Sequence, residues 1–87
     1  STANLNKWLY IKTAQHPPPM LKGKRLKLRY ITQIKTRPPN FLIFSSSLDI
    51  PKNYRKFLIN GLRDQFDLKN VPIRLGFRVG ENPYVQN

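Results

Sequence analysis

The chain has 87 residues, with sixteen Lys plus Arg against four Asp plus Glu, a net charge of +12 and no cysteine. Residues 1–87 are expected to form one small domain, because a chain of this size hides only about 60 to 65 % of its unfolded surface, and one layer of helix on one layer of sheet is its natural core. The absence of cysteine excludes disulfides and thiolate metal sites, and "FLIF", the longest purely apolar run, is far short of the roughly 20 residues that span a bilayer.

An excess of cations this large concentrates polyanions and speeds their association, so nucleic acid is the leading partner class, ahead of an anionic membrane surface and an acidic protein. Solubility alone needs only a few net charges in so small a domain. No charged-then-apolar leader opens the chain. It begins Ser-Thr-Ala-Asn and its only methionine is Met20, which reads as a domain excised from a larger protein.

In chain order, Leu5, Trp8 and Leu9 fall at i, i+3, i+4 and predict a helix from about Thr2 to Gln15, with Lys12 snorkelling past the end of its apolar stripe. His16 and the three prolines Pro17 to Pro19 end it. A loop through Gly23 leads into "RLKLRYITQIKTRPP", residues 25–39, which alternates as one strand: even positions mostly apolar, odd positions carrying Arg25, Lys27, Arg29, Lys35 and Arg37. After the stiff Arg37–Asn40 link, "NFLIFSS" reads as a second strand, antiparallel to the first. Asp49 is expected to cap the next helix, with Pro51 in its first turn and Tyr54, Phe57, Leu58, Gly61, Leu62 and Phe66 on its apolar face. Lys52, Arg55 and Lys56 oppose the dipole at its start. "VPIRLGFRV" is the last strand, parallel to the second because a helix intervenes. The expected fold is therefore α+β, an α-β-β-α-β unit with a three-stranded mixed sheet and both helices on one face.

No enzymatic site assembles from these residues. The acids are Asp49, Asp64, Asp67 and Glu81, none grouped with a histidine at metal-ligand spacing. His16 is read as a favourable cation at a helix C-terminus, and Ser45, Ser46 and Ser47 as a strand ending in a polar loop with no nearby base. "LKGKR" has one glycine and is no phosphate-binding loop of the GxxxxGK[ST] kind. Neither catalysis nor a cofactor nor a metal is expected of this chain.

The constellation that remains is basic. If the even side of the first strand and the odd side of the third face the helices, Lys27, Arg29, Lys35, Arg74 and Arg78 share the outer face of the sheet, with Lys22, Lys24 and Arg25 at one end and Arg37 at the other. Such cations track a phosphate backbone. Trp8, Tyr54 and Phe57 sit at core spacings, which leaves no platform for stacked bases and favours recognition of phosphates and shape. "FLIF" is apolar on both faces, and Ile31 lies on the basic side. A strand of that kind is usually covered on both sides, so either the first helix wraps round or a neighbouring domain docks at Ile31, Leu42 and Phe44.

The blocks "NLNKWL", "HPPP", "KGKRLKLRYITQIKTRPPNFLIF", "PKNYRKFLINGLRDQF" and "VPIRLGFRVGENPY", in this order, resemble the C-terminal KH-like domain of the bacterial tandem GTPase Der, or EngA, over nearly the whole chain. The resemblance implies a KH-like module that follows two GTP-binding domains in a cytoplasmic protein of large-subunit (50S) ribosome assembly. In the parent protein GTP would be the ligand of those domains, and the module would dock on ribosomal RNA and pack against them. It maps Lys22, Lys24, Lys27, Arg29, Lys35 and Arg37 onto the basic segment of the family pattern. An interaction domain serving mainly the GTPase domains, with little RNA binding, is the alternative. Two departures stand out: no GxxG loop of an ordinary KH domain is present, and Glu81 occupies a place before "NPY" where a basic residue is expected.

Overall fold

A computed structural model describes residues 1–81, so the "NPY" block, Asn82 to Tyr84, lies outside the described residues. Helix α1 (Thr2–Gln15) is followed by two short strands, β1 (Met20–Leu21) and β2 (Lys24–Arg25), then β3 (Leu28–Lys35), β4 (Asn40–Ser45), α2 (Lys52–Gln65) and β5 (Arg74–Val79). The main sheet has the order β3-β4-β5, with β3 antiparallel and β5 parallel to β4, and β1 and β2 form a separate hairpin. The mixed three-stranded sheet with two helices matches the expected α+β, KH-like order, and the hairpin is an addition to it.

Helix α1 spans the predicted residues, with the Ser1 hydroxyl accepting from the Asn4 N–H at its start. Leu5, Trp8 and Leu9 pack with Leu58 and Leu62 of α2 on Ile31, Phe41, Ile43 and Leu75 of the sheet. Lys12 runs its stem past Gly61 and brings Nζ to 6.0 Å from the Phe57 ring centre, as a snorkelling lysine does.

Ile31 requires a correction. It is 0 % exposed, under α1, and not on the basic side. The reason is a break in register between Leu28 and Tyr30: Leu28 pairs with Ser45, but Tyr30 pairs with Phe44 and Ile31 with Ile43. A bulge puts one extra residue into the strand and so reverses which face its following side chains take. A second break, between Gln33 and Lys35, reverses it again, so that Lys35 pairs with Asn40. Tyr30 and Thr32 thus face away from the helices, opposite to the simple alternation. The first strand is also not continuous, since Lys24–Arg25 belong to the hairpin and Leu26–Lys27 only connect it to β3.

Helix α1 does not wrap round the sheet. Its Asn6 lies along the free edge of β3, where Nδ2 donates to the Ile31 carbonyl and Oδ1 accepts from the Ile31 N–H, both at 2.9 Å. The amide takes the place of a neighbouring strand and satisfies two edge groups that would otherwise need water.

Helix α2 is not capped by Asp49. Pro51 holds the N-cap position and no side chain caps the helix, while the Asp49 N–H is donated to Ser47 Oγ at 3.1 Å. Of the three cations at its start, Arg55 lies 5.9 Å from the Phe77 ring centre, a cation–π contact that explains one of them. Where the prolines meet α2, the Tyr54 hydroxyl donates to the His16 carbonyl at 2.8 Å, and burial pushes its pKa up to about 12, so it remains a donor at neutral pH.

Gly61 of α2 sits directly against Trp8 of α1. A Cβ added there would stand 3.0 Å from Trp8 Cζ2, on the rigid indole, and 3.5 Å from Lys12 Cε. Gly61→Ala should therefore lose stability, by about 1 to 3 kcal/mol from overpacking, despite alanine's better helix propensity. Urea unfolding followed by Trp8 emission checks this, and a gain in stability would contradict the close approach.

Candidate nucleic-acid interface

The basic residues expected at the site fall mainly into two groups, set by the hairpin and by the two bulges. In the hairpin Met20 faces Arg25 and Leu21 faces Lys24 across a two-residue turn, Lys22 and Gly23, with φ of 50° and 79°. Positive φ at both turn positions is the turn that matches the twist of paired strands, which asparagine and glycine prefer. Gly23 has open space round it, so conformation and not crowding calls for it. Lys22 adopts the left-handed conformation at a cost of about 1 kcal/mol, and projects its charge from the tip.

Several contacts fix the hairpin to the body. Arg25 Nη1 donates to the Pro18 carbonyl at 2.6 Å and the Leu26 N–H to the Pro19 carbonyl at 3.2 Å, while the Leu26 side chain is 2 % exposed. The backbone of Lys27 is held on both sides by Ser46: its N–H donates to Ser46 Oγ and its carbonyl accepts from the Ser46 N–H, each at 2.9 Å. Buried Ser45 donates its hydroxyl to the Ser47 carbonyl at 2.8 Å and closes the loop after β4 on itself.

Between the hairpin and this loop lies a groove of about 910 Å³. Lys22, Lys24, Arg25, Lys27 and Arg29 line it, with Met20, Leu21 and Leu26 as apolar lining and Ser46, Ser47 and Asp49 on the other wall. The sole ion pair among the described residues joins Arg29 Nη1 to Glu81 Oε1 at 3.7 Å, between side chains 36 % and 69 % exposed. Such a surface pair is weak and leaves Arg29 available to a stronger anion.

The second group is at the opposite end of the sheet. Lys35 pairs with Asn40 and Asn40 with Arg74, which lines up two cations on the face turned away from the helices. Arg37 is exposed in the turn that follows. From Asn40 to Ser45 is roughly 17 Å at the usual strand rise, so this group and the groove are separate contacts. Arg78 pairs with Phe44, on the outer face near the groove end. The single outer-face array expected from alternation is thus divided: Lys35, Arg74 and Arg78 stand on that face, and Lys22, Lys24, Arg25, Lys27 and Arg29 line the groove.

Among the residues expected to meet a neighbouring domain, Ile31 is excluded by burial. Phe44 is 7 % exposed and tilts against Tyr30, ring centres 6.2 Å apart. Leu42 alone of the three is half-buried on the outer face, beside Thr32 and Gly76. The groove wall of Ser46, Ser47 and Asp49 was not visible as a site in the sequence. A lysine-glycine pair between two short segments was the available signal for the hairpin.

Residues 1–78 match the family described as KH-domain-like of EngA bacterial GTPase enzymes, C-terminal. The chain belongs to this family. As an EngA-type KH-like domain it is 54 % identical over 85 residues to GTPase Der of Rhizobium meliloti (strain 1021), across 97 % of this chain and 18 % of that protein. GTPase Der of Agrobacterium fabrum (strain C58 / ATCC 33970) is 52 % identical over 85 residues, with the same coverage. GTPase Der of Bartonella bacilliformis (strain ATCC 35685 / KC583 / Herrer 020/F12,63) is 54 % identical over 86 residues, 98 % of this chain and 18 % of that protein. The KH-like chain thus spans 18 % of the length of these relatives. Among the described residues no His, Cys, Asp or Glu group has the makings of a metal site, and no helix is long and apolar enough to cross a membrane.

Proposed function

We propose that this KH-like domain docks its parent GTPase on ribosomal RNA of the large subunit during 50S assembly in the bacterial cytoplasm. The observation that carries the proposal is the groove itself: five cations from the hairpin and the start of β3, four of them without an ion-pair partner among the described residues, converge on one concave surface. RNA phosphates supply the charge that this surface lacks. An ordinary KH domain grips the nucleotide backbone with a GxxG loop, and in this chain the Lys22–Gly23 hairpin takes that part. GTP binding and hydrolysis belong to the other domains of the parent protein.

A second role is favoured by Leu42, an apolar side chain on the sheet face opposite the helices. Through it the domain packs against the GTP-binding domains of its own protein, so that nucleotide state alters access to RNA.

Crosslinking the full-length protein to large-subunit particles in each nucleotide state tests both. The expected result is crosslinks from Lys24 and Lys27 to ribosomal RNA whose yield depends on the nucleotide. Crosslinks to ribosomal proteins alone would overturn the RNA reading.

A further inference from the structure

Asp49 is the one acidic side chain lining the groove, and it has no basic partner among the described residues. Toward a phosphate backbone a carboxylate has the wrong sign, so any strand held by the neighbouring cations is also repelled here. Pro51 and not Asp49 occupies the cap of α2, and the one local bond Asp49 makes uses its backbone N–H, which nearly any residue supplies. Asp49 is exposed to the groove, and in a chain with only four acids it is the one carboxylate acceptor that lines it.

A carboxylate offers two acceptor oxygens side by side. Guanine alone among the RNA bases presents two adjacent donors on its Watson–Crick edge, N1–H and the 2-amino group. Adenine, cytosine and uracil each place an acceptor beside a donor there, which a carboxylate repels. The rest of the groove suits the same base. Arg29 can donate to guanine O6 and N7 on the other edge, and Met20, 54 % exposed, gives the ring an adaptable apolar surface.

We propose that the groove reads an unpaired guanosine, with Asp49 accepting hydrogen bonds from guanine N1 and the 2-amino group while Lys24 and Lys27 hold the flanking phosphates. This rests on the RNA-binding function proposed above and narrows its substrate to a single-stranded, guanosine-containing segment.

The experiment compares short oligouridines carrying one central guanosine, inosine or adenosine, bound at low salt to the wild-type chain, Asp49→Ala and Asp49→Glu. Trp8 emission verifies folding of each. The wild type is expected to prefer guanosine over adenosine on the order of tenfold, with inosine, which lacks the 2-amino group, between them. Asp49→Ala should abolish the preference while binding the adenosine strand as well or better, and Asp49→Glu should keep part of it. Equal binding of all three strands by the wild type, or a preference that survives Asp49→Ala, overturns guanosine reading and leaves phosphate binding standing. No binding of any strand overturns both.

Discussion

Ile31→Ala is expected to lower stability by about 3 kcal/mol, whereas Ile34→Ala, three residues along the same strand, should change it by less than about 0.5 kcal/mol. The two isoleucines differ only in surroundings: Ile31 is 0 % exposed beneath α1, and Ile34 is 54 % exposed. Truncating Ile31 removes buried methyl groups and leaves a cavity in the core it shares with Leu5, Leu9 and Ile43, side chains fixed on a helix and a strand that close over it only in part. A domain of this size has on the order of 5 kcal/mol in total, so the variant should show a large fall in its urea midpoint at unchanged m-value. Simple alternation along residues 25–39 expects the reverse order, with Ile34 inside. Equal losses, or a larger loss at Ile34, would contradict the bulge between Leu28 and Tyr30.

That pair marks how far the sequence could be read. Local signals placed both helices well: the three-four apolar spacing of Leu5, Trp8 and Leu9 marks α1, and the apolar face of α2 holds from Leu58 to Leu62. The antiparallel and parallel pairings followed from link lengths. What failed was phase. A period of two carries information only while a strand is unbroken, and neither bulge in β3 is announced by glycine, the residue that most often signals one. Lys35 reached the expected face only because two reversals cancel. Asp49 was read as a cap because aspartate before Pro51 has that pattern, yet the proline itself took the position.

The candidate site was legible as charge and not as shape. Each groove cation was singled out from composition and spacing. Their convergence depends on contacts distant in sequence, chiefly Lys27 with Ser46, nineteen residues apart, and on a lysine held in a left-handed turn. No local pattern contains that information.

The groove cations carry the second large effect. Each phosphate contact releases counterions, so log affinity falls with log salt at about 0.7 per contact for single strands and 0.9 for duplex. Replacing Lys24, Lys27 and Arg29 together by glutamine removes three of the five groove cations without touching a buried side chain. The salt slope should therefore shrink by about 2 to 3, with the folded state intact. Replacing Lys35 and Arg74, roughly 17 Å away at the other end of the sheet, should reduce it by at most about 2 and leave any base preference unchanged.

The most direct measurement is the affinity of this chain for large-subunit ribosomal RNA across a salt series, for the wild type and the Lys24, Lys27, Arg29 variant side by side. A steep wild-type slope that flattens in the variant is the expected result. A salt-independent affinity, or the same slope in both proteins, would contradict the assignment of the groove to RNA phosphates.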